Sequence, residues 1–331
     1  MNISQNKESS HGVGSYITDK ILVPLLTRLL GARSDTATDA KNTRKPIHEC
    51  ELVIVGNTRN GASMIGREIN NLRQSTINFK KVSFFIVESD SSDSTLIELK
   101  ELAKQIPNFD FVTLGSLSTL MPKRTQRLAH CRNRSLDEII NNSRYSSVDY
   151  VAVADLDGVN EALSAEAIQT CWDTPVAWDV VTANQEGLYY DIWTLRHPVW
   201  CPNDCWKQYH QLLGMFGPEQ ALELAVASKM LHLDRSAGFV EVDSAFGGFG
   251  IYKREAFISG RYNGLNEVEN QISDHIPFHA DLKRKGYNIY INSALINAVE
   301  TEHTAGKRQR IRSNSTDQGT LPALTLSDFV G

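Results

Sequence analysis

"VAVADLDGVN", residues 151–160, climbs through four apolar residues to two aspartates one residue apart and then turns. Residues i and i+2 of an extended end point the same way. Asp155 and Asp157 therefore stand side by side, with Leu156 turned back toward the core. Adjacent carboxylates repel, and each raises the pKa of the other. A hard divalent cation such as Mg²⁺ or Mn²⁺ resolves that conflict and shares its oxygen ligands with substrate phosphates. By themselves the two aspartates fit a metal clamp, a nucleophile site or the polar end of a strand, and their setting has to decide.

The stretch closes a rhythm. "ELVIV" (51–55), "VSFFIV" (82–87), "FDFVTL" (109–114) and "DYVAVA" (149–154) are short apolar or β-branched runs that read as strands. Helical patterns lie between them. Ile65, Ile69 and Leu72 share one face, as do Leu96, Leu99, Ala103 and Ile106, and likewise Leu128, Leu136 and Ile139. Asp93 or Ser94 suits the cap of the second helix. Strands alternating with helices predict an α/β fold with a mostly parallel, Rossmann-like sheet flanked by helices. Ligands of such sheets bind beyond the carboxyl ends of strands, near a switch in strand order. "GNTRN" (56–60), "ESDSSDST" (88–95) and "DLDG" (155–158) each follow a strand directly, so the three polar clusters converge on one edge. After residue 160 the rhythm breaks into an aromatic, irregular half, with an apolar helical stretch at about 218–231.

The 331 residues are 41% hydrophobic and 22% charged, enough for a sizeable core and too apolar for a disordered chain. A net charge of -5 gives no global pull toward nucleic acid. Any bound anion must be held by a local basic cluster, and "RLAHCRNRSL" with Arg127, Arg132 and Arg134 supplies one whose forks suit a diphosphate. Five cysteines without a framework spacing fit a reducing compartment. No secretory signal and no run of about 18 apolar residues is present, so the expected location is cytoplasmic. Residues 16–31 read as an amphipathic helix, suited to packing on the catalytic domain or on a second subunit as a homodimer, or to lying peripherally on the inner face of the membrane.

Taken in order, a strand-end Asn, the acidic "ESDSSDST" loop, the "RN" pair and DxD resemble the GT-A nucleotide-sugar glycosyltransferases. "FGGFGIYKREAF" resembles the donor-sugar loop of that fold, and "SDHIPFHADLKRKGYNIYIN" resembles the late "ED…L…R…GY" stretch of family 2 enzymes. "FFIVESDSSDST", "YYDIWTLRH" and "DHIPFHADLKRKGYNIYINSALIN" look similar to the capsule-associated α-1,3-mannosyltransferases (glycosyltransferase family 69) and their bacterial relatives. The resemblance covers about 50–304. It implies a GT-A catalytic domain over 48–304 with an acceptor-side C-terminal half, while composition reads as a tail, helix and linker over 1–47 and a basic then flexible tail over 305–331.

The resemblance also implies roles. Asp155 and Asp157 would hold Mn²⁺ or Mg²⁺ against the donor diphosphate, with His303 as a late metal ligand. Asn57 and Glu88 match positions that meet the nucleoside, with Arg59 beside them, and Arg132 matches one near the diphosphate. Gly247 and Gly248 would let backbone approach the sugar. Asp191, with Trp193, would touch sugar. Asp274 occupies the slot of the catalytic base in inverting relatives, although "SDH" departs from "ED" and a retaining enzyme needs no base there. The implied donor is a nucleotide-diphosphate sugar, GDP-mannose before a UDP-sugar. The implied acceptor is a glycan or lipid-linked glycan in surface polysaccharide synthesis. The basic segment 307–312 could close over the departing diphosphate.

Three rivals share these residues. "DLDGV" matches the nucleophile signature of haloacid-dehalogenase phosphatases, but that signature normally ends the first core strand and here three strands precede it. A nucleotidyltransferase would use the same metal, but the Gly-rich N-terminal loop such enzymes need is missing. A sugar-binding module without catalysis would have no use for an intact carboxylate pair.

Overall fold

The computed structural model of the chain describes residues 44–301. The expected strands are β1 (Glu51–Thr58), β2 (Lys81–Glu88), β3 (Phe109–Thr113) and β4 (Tyr150–Asp155). Helices α1 (Ile65–Ser75), α2 (Thr95–Gln105) and α3 (Arg124–Asn141) connect them. β1 pairs in parallel with both β2 and β4, and β2 with β3. β1, β2 and β4 are buried on both faces, which is why they read as continuous apolar runs, whereas β3 is an edge strand and only Phe109 of it is buried. Val53, Val55, Val151 and Val153 face a core closed by α3, while Leu52, Ile54, Ala152 and Ala154 face one closed by α1 and α2. Ile65, Ile69 and Leu72 of α1 lie fully in the second core, as their spacing predicts.

Beyond residue 160 the chain adds half of the eight-stranded sheet. β5 (Val180–Gln185), β6 (Phe239–Val242), β7 (Phe249–Lys253) and β8 (Ile289–Ala298) extend it in the order β3-β2-β1-β4-β7-β5-β8-β6. β7 runs antiparallel between β4 and β5, and β6 antiparallel to β8. Short helices α4 (Ala165–Gln169) and α6 (Arg254–Phe257), with α7 (His275–Arg284), fill the connections.

The apolar helix of this half starts earlier than its periodicity predicts. α5 spans Cys205–Ala225 because Asp204 caps it, accepting from the backbone N–H groups of Trp206 and Lys207 at 3.0 and 2.9 Å. Gly217, at φ 74° and ψ 170°, breaks the helical path, and Pro218 opens the second segment as a first-turn proline. The stretch read at about 218–231 covers that second segment and overruns its end at Ala225, beyond which a 3-10 turn follows at Ala227–Lys229. All five cysteines are free and buried.

Candidate functional site: carboxylates and an arginine at the strand ends

The order β3-β2-β1-β4 reverses direction between β1 and β4, and the site lies at that switch. Asn57 of β1 sits in register with Asp155 of β4, and Thr58 with Glu88 of β2, so the strand ends come together as the sequence predicts. Leu156 is buried and Asp157 exposed, which gives the alternation read from "DLD". The Asp155 backbone is clamped from both sides. Its N–H donates to the Gly248 carbonyl at 2.9 Å, and its own carbonyl accepts from the Asn160 amide at 2.7 Å.

Arg132, on α3, joins two of the predicted residues. Its Nη2 donates to Asp155 Oδ1 at 3.0 Å, and its Nη1 lies 2.7 and 2.8 Å from the two oxygens of Asp274. The guanidinium also lies over the rings of Phe246 and Tyr262, 5.3 and 5.9 Å from their centroids. Burial works against its charge, but Asp274 and then Asp155 outweigh that and hold its pKa above the ordinary arginine value. Asp155 goes the opposite way for a carboxylate. Burial pushes its pKa up to about 7; Arg132 opposes the rise, while Asp157, Asp191 and Asp274 add to it. A third of the Asp155 side chain remains exposed, against 4% for Asp274.

The loops after β1 and β2 are stitched to each other. Asn60 Oδ1 accepts from Ser92 N at 2.8 Å, Thr95 Oγ1 from Gly61 N at 2.8 Å, and Asp93 from both Ala62 N and Thr95 N at 3.1 and 3.0 Å. The Ser and Asp of "ESDSSDST" are therefore spent largely on loop geometry. α2 begins after Ser94 without a side-chain cap bond from it, and the Asp93 carboxylate takes that place. Glu88 is buried, accepting from Ser91 N at 3.0 Å and from the Thr113 hydroxyl. Arg59 is exposed. Asn57 is half-buried, with an amide nitrogen that has no hydrogen-bond partner among the described residues.

Gly247 and Gly248 have φ of 67° and 87°, a backbone region that L side chains rarely adopt. Space is closed as well. A Cβ on Gly247 would lie 2.9 Å from the Ala183 carbonyl oxygen, and one on Gly248 would lie 2.6 Å from Val159 Cγ1. Gly247 N donates to Asp191 Oδ2 at 3.1 Å, which ties the glycine loop to the predicted acid. Trp193 Nε1 is buried without a partner among the described residues.

A second layer carries no sequence signal strong enough to single it out. Buried Asn297 donates to Asn160 Oδ1 and to the Gly247 carbonyl at 3.0 and 2.8 Å, and Gln185 donates to Asn297 Oδ1 at 3.0 Å. This amide chain locks the Asp155 turn to the glycine loop. Phe246 stacks on His275 with centroids 4.0 Å apart, which fixes the loop against the start of α7. The strand-end position of "ANQ" (183–185) and the Asn closing "DLDGVN" were the available hints.

The arrangement thus brings together Asn57, Arg132, Asp155, Asp157, Asp191, Gly247, Gly248 and Asp274. Glu88 sits one strand further out, and Arg59 points to no bound partner among the described residues. His303, residues 16–31 and the basic segment 307–312 lie outside the described residues.

Comparison with solved structures gives a mannosyltransferase, PcManGT from Pyrobaculum calidifontis, solved with GDP-Man and Mn2+. It matches at a TM-score of 0.50 and 15% identity, over 93% of this chain and 75% of that one. This chain shares its fold. S. aureus TarS 1-349, solved with UDP-GlcNAc, matches more loosely, at a TM-score of 0.43 and 14% identity over 77% of this chain and 61% of that one. No family model and no curated protein matches the sequence.

The donor set at the head of β4 suits a hard divalent ion. Among the described residues no group of three His, Cys, Asp or Glu side chains is poised around one point. Two oxygen ligands from the protein, completed by phosphate and water, are what Mg²⁺ and Mn²⁺ ordinarily take in nucleotide sites. Burial first, and then Asp157, Asp191 and Asp274, disfavour the charged form of Asp155 despite Arg132, and a bound cation would favour it.

Proposed function

We propose that the chain is a metal-dependent glycosyltransferase, moving a sugar from a nucleotide-diphosphate donor to a glycan or glycolipid acceptor in surface polysaccharide synthesis. Mannose carried by GDP is the favoured donor. The observation that carries this reading is the Asp155 site itself. Four aspartates and one arginine gather at the switch point of a fold shared with an enzyme solved with GDP-Man and Mn2+.

In this reading Asp155 and Asp157 would hold Mn²⁺ or Mg²⁺, which would supply positive charge against the leaving diphosphate. His303 is proposed as a further ligand. Arg132 does its work through Asp155, holding the carboxylate in one orientation and keeping a positive charge beside the diphosphate. Asn57, with Arg59 and Glu88, belongs to the nucleoside side. Glu88 acts there by shaping the β2 loop, since its oxygens are already engaged by Ser91 and Thr113. Asp191 orders the Gly247–Gly248 loop, along which the sugar would lie.

Asp274 carries the base position of inverting relatives, but both of its oxygens lie against Arg132 in a buried pocket. The geometry favours an anchoring role for it. Among the described residues no helix is long and apolar enough to cross a membrane. Contact with a lipid-linked acceptor is proposed for residues 16–31 on their amphipathic sequence pattern.

A panel of nucleotide sugars tests the reading. With Mn²⁺, the protein should slowly hydrolyse one donor, GDP-mannose first, to the nucleoside diphosphate and free sugar. Release of phosphate from phosphomonoesters, with every donor left intact, would replace it with the phosphatase reading.

A further inference from the structure

Behind the Arg132 clasp lies a cavity lined by Val55, Asn57, Arg132, Ser135, Val153 and Tyr262, among others. It has room for about one water molecule. Three of its lining side chains carry a buried hydrogen-bonding atom with no partner among the described residues: Asn57 Nδ2, Ser135 Oγ and Tyr262 Oη. Ser135 is 1% exposed and Tyr262 4%. Buried polar atoms are almost always paired, and a single unpaired one costs free energy. Three side chains of this kind line one small cavity.

We propose that this cavity is a site for one internal water that positions the donor-binding face. The chemistry closes. Asn57 Nδ2 can only donate, so the water accepts from it. Ser135 and Tyr262 each have a hydroxyl that donates or accepts, so the water can donate to one and accept from or donate to the other. Three hydrogen bonds are the usual complement of a buried water.

Each partner sits on a different part of the site. Asn57 ends β1 beside Asp155, Ser135 lies one turn beyond Arg132 on α3, and Tyr262 stacks under the Arg132 guanidinium. The Tyr262 backbone is already pinned to α3, since its N–H donates to Asn133 Oδ1 at 3.0 Å and its carbonyl accepts from Asn133 Nδ2 at 2.9 Å. The water would add the missing tie to β1. Ser135 and Tyr262 are thereby positioning residues that act through Asn57 and Arg132. The functional part rests on the nucleotide-sugar reading above, whereas the water site itself does not.

Two measurements separate them. A crystal structure of the whole chain, at a resolution that orders internal solvent, should show one water within hydrogen-bond distance of Asn57 Nδ2, Ser135 Oγ and Tyr262 Oη. A dry cavity, or side chains turned to protein partners, would overturn the site whatever the enzyme does. Titration of GDP and UDP with Mn²⁺ then reads the positioning. Ser135→Ala and Tyr262→Phe should each weaken the nucleotide that the unaltered protein binds by about fivefold, the worth of one hydrogen bond. The double variant should lose no more than either alone, because both act through one water. Multiplying losses, or none, would overturn the positioning role. If the unaltered protein binds neither nucleotide, the transferase reading fails and the water site still stands or falls on the crystal structure. If a variant does not fold, the same structure decides.

Discussion

Removing the Arg132 side chain exposes what holds the site together. Arg132→Met keeps the length and apolar stem of the side chain and deletes the charge. Asp274 is then left 4% exposed, with neither oxygen paired to a cation, whereas Asp155 keeps a third of its side chain in contact with water and can rehydrate. Most of the penalty therefore comes from Asp274. Stranding one partner of a buried pair costs about 3–5 kcal/mol. Asp274→Asn strands less, since Arg132 retains Asp155 and the amide can still accept one bond, so about 1–3 kcal/mol is expected. In the double variant only Asp155, a third exposed, loses its cation, and the loss should not exceed that of Arg132→Met alone. The coupling between the two sites should come out near 2 kcal/mol. Urea unfolding followed by tryptophan fluorescence reads all four corners of the cycle. Strictly additive losses would refute the clasp. The same variants test the base role: a general base would leave Asp274→Asn as stable as the parent while lowering kcat by about 10²–10⁴.

Other consequences are independent of the clasp. Burial raises Glu68 to about 7, with one carboxylate oxygen unpaired among the described residues. The folded state therefore holds its proton above the pH at which the unfolded chain releases it, and stability falls as pH rises from about 4.5 through about 7. Glu68→Gln lacks this loss, so its advantage over the parent should grow by about 2–3 kcal/mol between pH 5 and pH 8 in urea titrations; a constant difference across that range would contradict the buried acid. Gly248→Ala forces a Cβ into Val159 at a positive φ and should cost about 1–3 kcal/mol in the same assay, with weaker donor binding. A fully stable Gly248→Ala would mean that the loop is free to move away.

The first half of the fold was legible because parallel strands buried on both faces leave unbroken apolar runs, and Leu52–Val55 and Val151–Ala154 are such runs. Those runs also placed Asn57 and Asp155 at strand ends, which is most of the site. The second half hid its strands behind polar interiors. "VVTANQ" (180–185) and "IYINSALINA" (289–298) bury Asn184, Gln185, Asn292 and Asn297, and only a folded amide network reveals why such residues can sit inside. Arg132 and Asp274 lie 142 positions apart, so no local pattern can report their pairing. In the acidic loop the expected cap is present, supplied by Asp93. Ser91, Ser92 and Asp93 also stitch β1's loop to β2's, a use that side-chain type alone does not distinguish from ligand binding.

Metal-dependent nucleotide binding bears most directly on the reading of "DLDG". GDP and UDP are titrated calorimetrically into the unaltered protein and into Asp157→Ala, each with and without Mn²⁺. Exposed Asp157 supports no core contact, so the variant should fold normally. If Asp155 and Asp157 form the metal clamp of a nucleotide-sugar transferase, one nucleotide binds the unaltered protein far more tightly with Mn²⁺, and Asp157→Ala removes that gain. A gain that survives in Asp157→Ala, or binding indifferent to metal in the unaltered protein, would contradict it.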